Sequence, residues 1–146
     1  AHEYHNFEIR LNLTAIVKAD HPVQVTGFAM GSSTTDPYMT VIPGFRHYMD
    51  YYKIIVPEHY NDNYLCVIIP RQSLGNLKIN NLSVNYFTTA FQSEELSSRK
   101  TYSIRVLSVS HGVYVLNTTD HVGFGLLVYG HREDDGYGYA GNFVLP

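Results

Sequence analysis

His121-Val-Gly-Phe-Gly-Leu-Leu-Val-Tyr129-Gly-His131-Arg-Glu-Asp-Asp-Gly136-Tyr-Gly-Tyr-Ala-Gly141-Asn-Phe-Val-Leu-Pro146 is the stretch whose reading decides the fold. A run of strand-forming residues, Val122 to Tyr129, climbs to a charged segment, His131 to Asp135. A tyrosine- and glycine-rich run, Tyr137 to Leu145, leads away from it. Two apolar runs joined by a short polar segment predict a β-hairpin with an elaborate, exposed tip. Gly123, Gly125, Gly130, Gly136, Gly138 and Gly141 crowd the same region. No Lys-Ser/Thr pair follows them and no helical pattern begins there, so they do not form a phosphate loop. Glycines within strands mark bulges or the close approach of another group, and the expectation is a tightly packed or bulged edge.

Outward from this hairpin the chain reads as β throughout. Phe7, Ile9, Leu11 and Leu13 alternate with Glu8, Arg10, Asn12 and Thr14, the pattern of a half-buried strand. Val23–Met30 and Tyr38–Ile42 follow, the second closed by the turn signal Pro43-Gly44. Tyr51–Val56 and Tyr64–Ile69 each end at a proline, which lacks the donor a ladder needs. Glu58–Asn63 between them is a polar loop. Leu77–Asn81 predicts a short strand running into a turn, and Val84–Thr89 another strand. Ser93–Lys100, acidic at its start and basic at its end, is the one helix-like piece, two turns at most. Tyr102–Val109 and Val113–Leu116, joined at His111-Gly112, predict a second hairpin. Ten or eleven short strands at roughly ten-residue intervals define a fold class: all-β, a single antiparallel β-sandwich of jelly-roll or Greek-key type, with at most one short helix.

Composition narrows the function classes. The 146 residues make one domain, 1–146, large enough to fold without a metal or disulfide. Net charge is −3, with Lys and Arg scattered, which argues against nucleic acid as a partner. No run of 18 apolar residues occurs, so no helical membrane span is expected. Ala1-His2-Glu3-Tyr4 reads as a mature or excised N-terminus. Thirteen tyrosines and no tryptophan suit both strand surfaces and binding surfaces. Cys66, the single cysteine, lies in an apolar run and reads as a buried, inert thiol. Asn12, Asn81 and Asn117 head Asn-X-Ser/Thr sequons, candidate glycan sites in a secreted protein.

Catalytic signatures are missing from the sequence. The eight histidines include no His-x-His and no His-Glu-x-x-His, so neither a metal nor any other cofactor is expected. No Gly-x-Ser-x-Gly elbow occurs, and Ser32-Ser33 sits in a loop-like cluster. Glu94 and Glu95, adjacent on a helical turn, would point different ways. What remains is a candidate binding site at the hairpin tip: Arg132, Asp134, Asp135, Tyr137 and Tyr139. Tyr137 and Tyr139 lie two apart and share one face of a strand. Beside the arginine and carboxylates, they suit a sugar ring or a protein surface. Glu133, Asp134 and Asp135 offer oxygen ligands, but not at the spacing of a calcium hand.

The order of pieces in the second half resembles a known family. Leu77 to Ser83 is followed by Lys100-Thr-Tyr-Ser-Ile-Arg-Val, Ser110-His-Gly-Val-Tyr-Val-Leu, Phe124-Gly-Leu-Leu-Val-Tyr-Gly-His131 and Asp135-Gly-Tyr-Gly-Tyr-Ala-Gly141. This resembles the IgG-Fc-binding-protein N-terminal domain family, whose members close with a G-x-H-x-(L/I) strand, F-G-x-x-x-Y-G and S-Y-G-Y-P-A-G. The resemblance covers about residues 77–141. Asp135-Gly136 replaces the usual serine before Tyr-Gly-Tyr, Val113-Tyr114 stands where the family often has a histidine, and cysteines are sparser than in many relatives. The resemblance implies a secreted, extracellular, non-catalytic module of the kind found in mosaic surface proteins. The expected function is therefore adhesion or scaffolding through surface loops, with a protein or glycoprotein partner. The alternatives are a carbohydrate-binding module or small lectin with a glycan ligand, and a self-assembling structural subunit, a homo-oligomer joined through edge strands.

Overall fold

The computed structural model describes residues 3–10 and 12–144. Eleven strands form among the described residues: β1 (Val25–Ala29), β2 (Tyr38–Ile42), β3 (Tyr51–Val56), β4 (Asp62–Pro70), β5 (Leu77–Ile79), β6 (Leu82–Ser83), β7 (Thr88–Ser97), β8 (Lys100–Val109), β9 (Gly112–Thr118), β10 (Gly125–Arg132) and β11 (Asp135–Ala140). Every pairing is antiparallel. A five-stranded sheet of order β11-β10-β4-β8-β7 faces a four-stranded sheet of order β3-β9-β5-β6, and β1-β2 forms a separate hairpin. The helical content of the described residues is three short 3₁₀ turns. The chain is all-β and sandwich-like, as the turn spacing predicts.

The core follows from alternation. Tyr52, Ile54 and Val56 on β3, and Leu65, Val67 and Ile69 on β4, point inward at every second position, where Leu77, Ile79, Leu107, Leu116, Leu126 and Val128 meet them. Burying such a side chain contributes about 1.5–3 kcal/mol. The other side of β4 carries Tyr64, Cys66 and Ile68, which are half-buried. Both faces of this central strand are apolar because the β1-β2 hairpin lies over the outer face of the five-stranded sheet, where Tyr38 stacks on Tyr129 with ring centroids 6.3 Å apart.

The clustered glycines admit close neighbours, and Gly136 and Gly138 do so for the β1-β2 hairpin. A Cβ on Gly138 would stand 2.2 Å from the Tyr38 ring, and one on Gly125 2.5 Å from the Tyr48 ring. On Gly130, a Cβ would meet the Asp62 carbonyl oxygen at 2.5 Å. Close packing, half of the sequence expectation, is the reason for these glycines. The other half, a bulge, falls elsewhere: the one register shift described lies between Thr89 and Phe91 of β7.

Several sequence expectations are corrected. Phe7–Thr14 forms no strand; Leu11 lies outside the described residues. The Leu13 amide donates to the Arg10 carbonyl at 3.2 Å, and Asn12 takes φ 66°, so a turn interrupts the segment. Ser93–Lys100 is no helix but the end of β7, a turn through Ser98 at φ 57°, and the start of β8. Its charges belong to a solvated edge strand, where pairing with β8 overrides a weak helical preference. Val84–Tyr86 forms a 3₁₀ turn whose Asn85 amide donates to Ser83 Oγ, so the strand expected at Val84 begins at Thr88. β8 and β9 are strands but not a hairpin. Ser110-His111-Gly112, with Gly112 at φ 141°, carries the chain from the five-stranded to the four-stranded sheet, where β9 pairs with β3 and β5. The Tyr114 hydroxyl donates to the Ser110 carbonyl at 2.8 Å across that corner. The closing hairpin forms as expected, with Leu127–Arg132 against Asp135–Ala140, although β10 starts three residues later than Val122. β11 ends at Ala140, and Leu145 lies outside the described residues.

Candidate binding surface at the hairpin tip

Arg132 and Asp135 face each other as the last register pair of the β10-β11 hairpin, leaving Glu133 and Asp134 as the turn. Asp134 accepts φ 58°, a left-handed conformation that aspartate tolerates better than most residues. Its amide donates to the Thr34 carbonyl at 2.9 Å, tying the tip to the β1-β2 loop. Arg132, Glu133 and Asp134 are exposed.

Asp135 organises the neighbouring loop. Its carboxylate accepts from the Tyr60 hydroxyl at 2.9 Å and from the Gly136 amide at 2.8 Å, and it pairs with Arg132 Nη2 at 3.1 Å. The Tyr60 bond is the largest cause holding its carboxyl below the usual aspartate range; burial, next in size, opposes it, and the Gly136 amide and the Arg132 charge add to the lowering. The same bond raises the Tyr60 phenol. The Arg132 guanidinium lies 5.3 Å from the Tyr60 ring centroid, a cation–π placement. Tyr60 also meets Tyr137 edge-to-face at 4.7 Å.

Tyr137 and Tyr139 share a face, as their spacing requires, but that face is the inner one. Both pack against the core. The Tyr137 hydroxyl donates to Asn63 Oδ1 at 2.7 Å, and Asn63, 3% exposed, donates to the Tyr60 carbonyl at 3.0 Å. The Tyr139 hydroxyl donates to the Ile55 carbonyl. Burial is the first cause raising both phenols. The structure therefore brings Arg132, Asp135 and Tyr137 into one network with Tyr60 and Asn63, and keeps Asp134 at the solvent end. Tyr139 braces β11 against β3. The tyrosine pair does not form the open stacking platform expected from sequence.

Beside the network runs a polar groove of about 410 Å³, lined by Tyr60, Asn61, Asn63, Ser108, Ser110 and His111. Loops β1-β2, β3-β4, β8-β9 and β10-β11 thus meet at one end of the sandwich. Tyr60 and Asn63 were not legible as site residues, because no local pattern marks them.

Of the sequons, Asn12 and Asn81 are exposed, whereas Asn117 is half-buried in β9 between Tyr51 and Lys78. The Cys66 thiol is pushed up to about 12 by burial. Among the described residues no group of three or more His, Cys, Asp or Glu could hold a metal ion. None of the helices described is long and apolar enough to cross a membrane.

Fold and site together define an antiparallel β-sandwich with a loop-built surface at one end. The family model described as IgGFc binding protein matches residues 1–130, and the chain belongs to that family. The match takes in the first half, where the sequence resemblance rested on Tyr51–Val56 and Leu65–Ile69 alone, and stops at Gly130. The Asp135–Gly141 motif and the tip residues Arg132, Asp134 and Asp135 lie beyond it. No curated protein and no solved structure matches the chain.

Proposed function

We propose that this chain is an extracellular, non-catalytic adhesion or scaffold module that binds a protein partner through the loop end of its sandwich. The observation that carries this reading is the Tyr60–Asp135–Arg132 network. It fixes two loops that are separate in sequence and presents Arg132, Glu133 and Asp134 to solvent on a rigid base. Prefixed loops on a rigid scaffold bind at low ordering cost, and exposed charges of both signs suit a polar protein surface. The family's name supports a protein ligand, and the exposed sequons Asn12 and Asn81 fit an extracellular setting.

Immunoglobulin Fc is the probe that name supplies. The test is surface plasmon resonance of the purified chain on immobilised Fc fragment, beside a variant carrying Arg132→Ala and Asp134→Ala. Saturable binding that weakens at least tenfold in the variant supports the reading. Absence of binding, or binding that the two substitutions leave unchanged, removes it.

A further inference from the structure

Asn61 lies in the β3-β4 loop, whereas Ser108, Ser110 and His111 lie at the end of β8 and in the corner that follows it. No local pattern groups them. The fold gathers them, with Tyr60 and Asn63, around the polar groove of about 410 Å³ at the loop end of the sandwich. That volume falls within the range of about 300–1,000 Å³ usual for small-ligand sites.

The frame of the groove is fixed by its own bonds. The Tyr60 hydroxyl donates to Asp135, and the Tyr60 ring meets Tyr137 edge-to-face. Buried Asn63 bonds both the Tyr60 carbonyl and the Tyr137 hydroxyl. On the β8 side, the Tyr114 hydroxyl holds the Ser110 carbonyl at 2.8 Å. By contrast, the side chains of Asn61, Ser108, Ser110 and His111 are exposed and bond to no other group among the described residues. They offer an amide, two hydroxyls and an imidazole, donors and acceptors both. Free polar groups on a rigid frame bind at low ordering cost.

The lining selects the chemistry of the ligand. No Lys, Arg, Asp or Glu lines the groove. The neighbouring carboxylates of Asp62 and Asp135 are already paired, with His131 at 3.2 Å and with Arg132 at 3.1 Å. A phosphate, a sulfate or an acidic sugar would find no countercharge here. Val109 is the one aliphatic residue of the lining, and it packs against the core, so an acyl chain would find little to bury against. An extended peptide would find no open ladder. Asn63 is paired with Val109 and Gly130, and Ser108 with Tyr64 and Thr88. A ligand rich in hydroxyls and free of charge satisfies every wall. We propose that this groove binds a short neutral saccharide through Asn61, Ser108, Ser110 and His111. The proposal rests on the loop-end reading above, with the saccharide carried by the glycoprotein partner. It moves sugar binding from the inward-turned Tyr137 and Tyr139 to residues of two other loops.

The test applies the full chain to an array of neutral galactose-, mannose- and N-acetylglucosamine-terminated oligosaccharides, printed beside their sialylated and sulfated counterparts. The expected result is saturable binding of one or more neutral oligosaccharides, at least tenfold weaker in a variant carrying Asn61→Ala and Ser108→Ala. The strongest neutral binder, added to isotope-labelled wild type, should shift the amide resonances of Asn61, Ser108 and His111, a readout that does not depend on the variant folding. Binding confined to the charged oligosaccharides, binding that the two substitutions leave unchanged, or shifts confined to other parts of the chain overturns the proposal. Immobilised Fc run in parallel separates the two readings. Fc bound with no neutral oligosaccharide bound overturns the groove alone. A neutral oligosaccharide bound through the groove with Fc refused upholds the groove and removes only the tip as a protein site.

Discussion

Gly138→Ala tests whether the β1-β2 hairpin is a true third layer. The added methyl would stand 2.2 Å and 2.5 Å from Cε2 and Cδ2 of Tyr38. Carbon atoms rest about 3.5–4.0 Å apart, so the ring must retreat by more than about 1 Å. It cannot do so freely, because Tyr38 is stacked on Tyr129 and belongs to β2, paired along its length with β1. Overpacking of this kind costs about 1–3 kcal/mol. Replacing a strand glycine by alanine recovers about 0.5–1 kcal/mol of chain entropy, which at the middle of both ranges leaves a net loss of about 1.2 kcal/mol. For a chain of this length that lowers Tm by about 3–6 °C, measurable by differential scanning calorimetry. Gly75→Ala is the control, since a Cβ there meets nothing within 4 Å. The loss should disappear when Gly138→Ala is made in a Tyr38→Ala background, because the two sites then have nothing to collide. A Tm within 1 °C of wild type, or the same loss in both backgrounds, would refute the layered packing.

Three other outcomes are expected. Tyr52→Phe strips the partner from the Met49 amide (3.0 Å) and the Phe124 carbonyl inside the sandwich; it should cost about 1–3 kcal/mol in urea unfolding, and a loss below about 0.5 kcal/mol would contradict the bonding described. Cys66, with its thiol pushed up to about 12 by burial, should resist Ellman's reagent near neutral pH in the folded protein and react fully once denatured. Because Asp135 has a lowered carboxyl in the folded state, its contribution is present above the ordinary aspartate range and is lost as pH falls through the folded value; the stability gap between wild type and Asp135→Asn, followed by urea titration at several pH values, should therefore close on acidification, and a constant gap would contradict the assignment.

The parts of the fold legible in sequence were those that local pattern determines. β2 and β3 were readable to the residue, because strand-formers are bounded there by Pro43-Gly44 and Pro57. The β10-β11 hairpin was readable because its turn is charged and its arms are not. The misreadings share a cause: each depended on what a segment has beside it. Ser93–Lys100 looked helical because an edge strand's outward residues, Gln92, Glu94 and Leu96, are solvated and carry little apolar signal. His111-Gly112 announced a turn, but no local feature says whether the chain returns to the same sheet. Tyr137 and Tyr139 could be placed on one face by parity. Which face that is depends on Ile55 and Asn63, remote in sequence. Asp135 was visible as a tip residue, whereas its partner Tyr60 lies 75 positions away and had no pattern to announce it.

The central place of β4 has a consequence for how the protein comes into being. Its neighbours are β8 on one side and β10 on the other, with Val67 opposite both Arg105 and Leu126. A chain emerging N-terminus first completes β4 long before either flank exists. Until β10 is made, one ladder edge of the most apolar strand in the molecule stays open. Pairings of such long sequence separation slow folding to the millisecond-to-second range typical of β-sandwiches. The nascent chain therefore depends on β8 and β10 to close this sheet, and a ribosome stalled before Phe124 would hold an adhesive, half-zippered sheet.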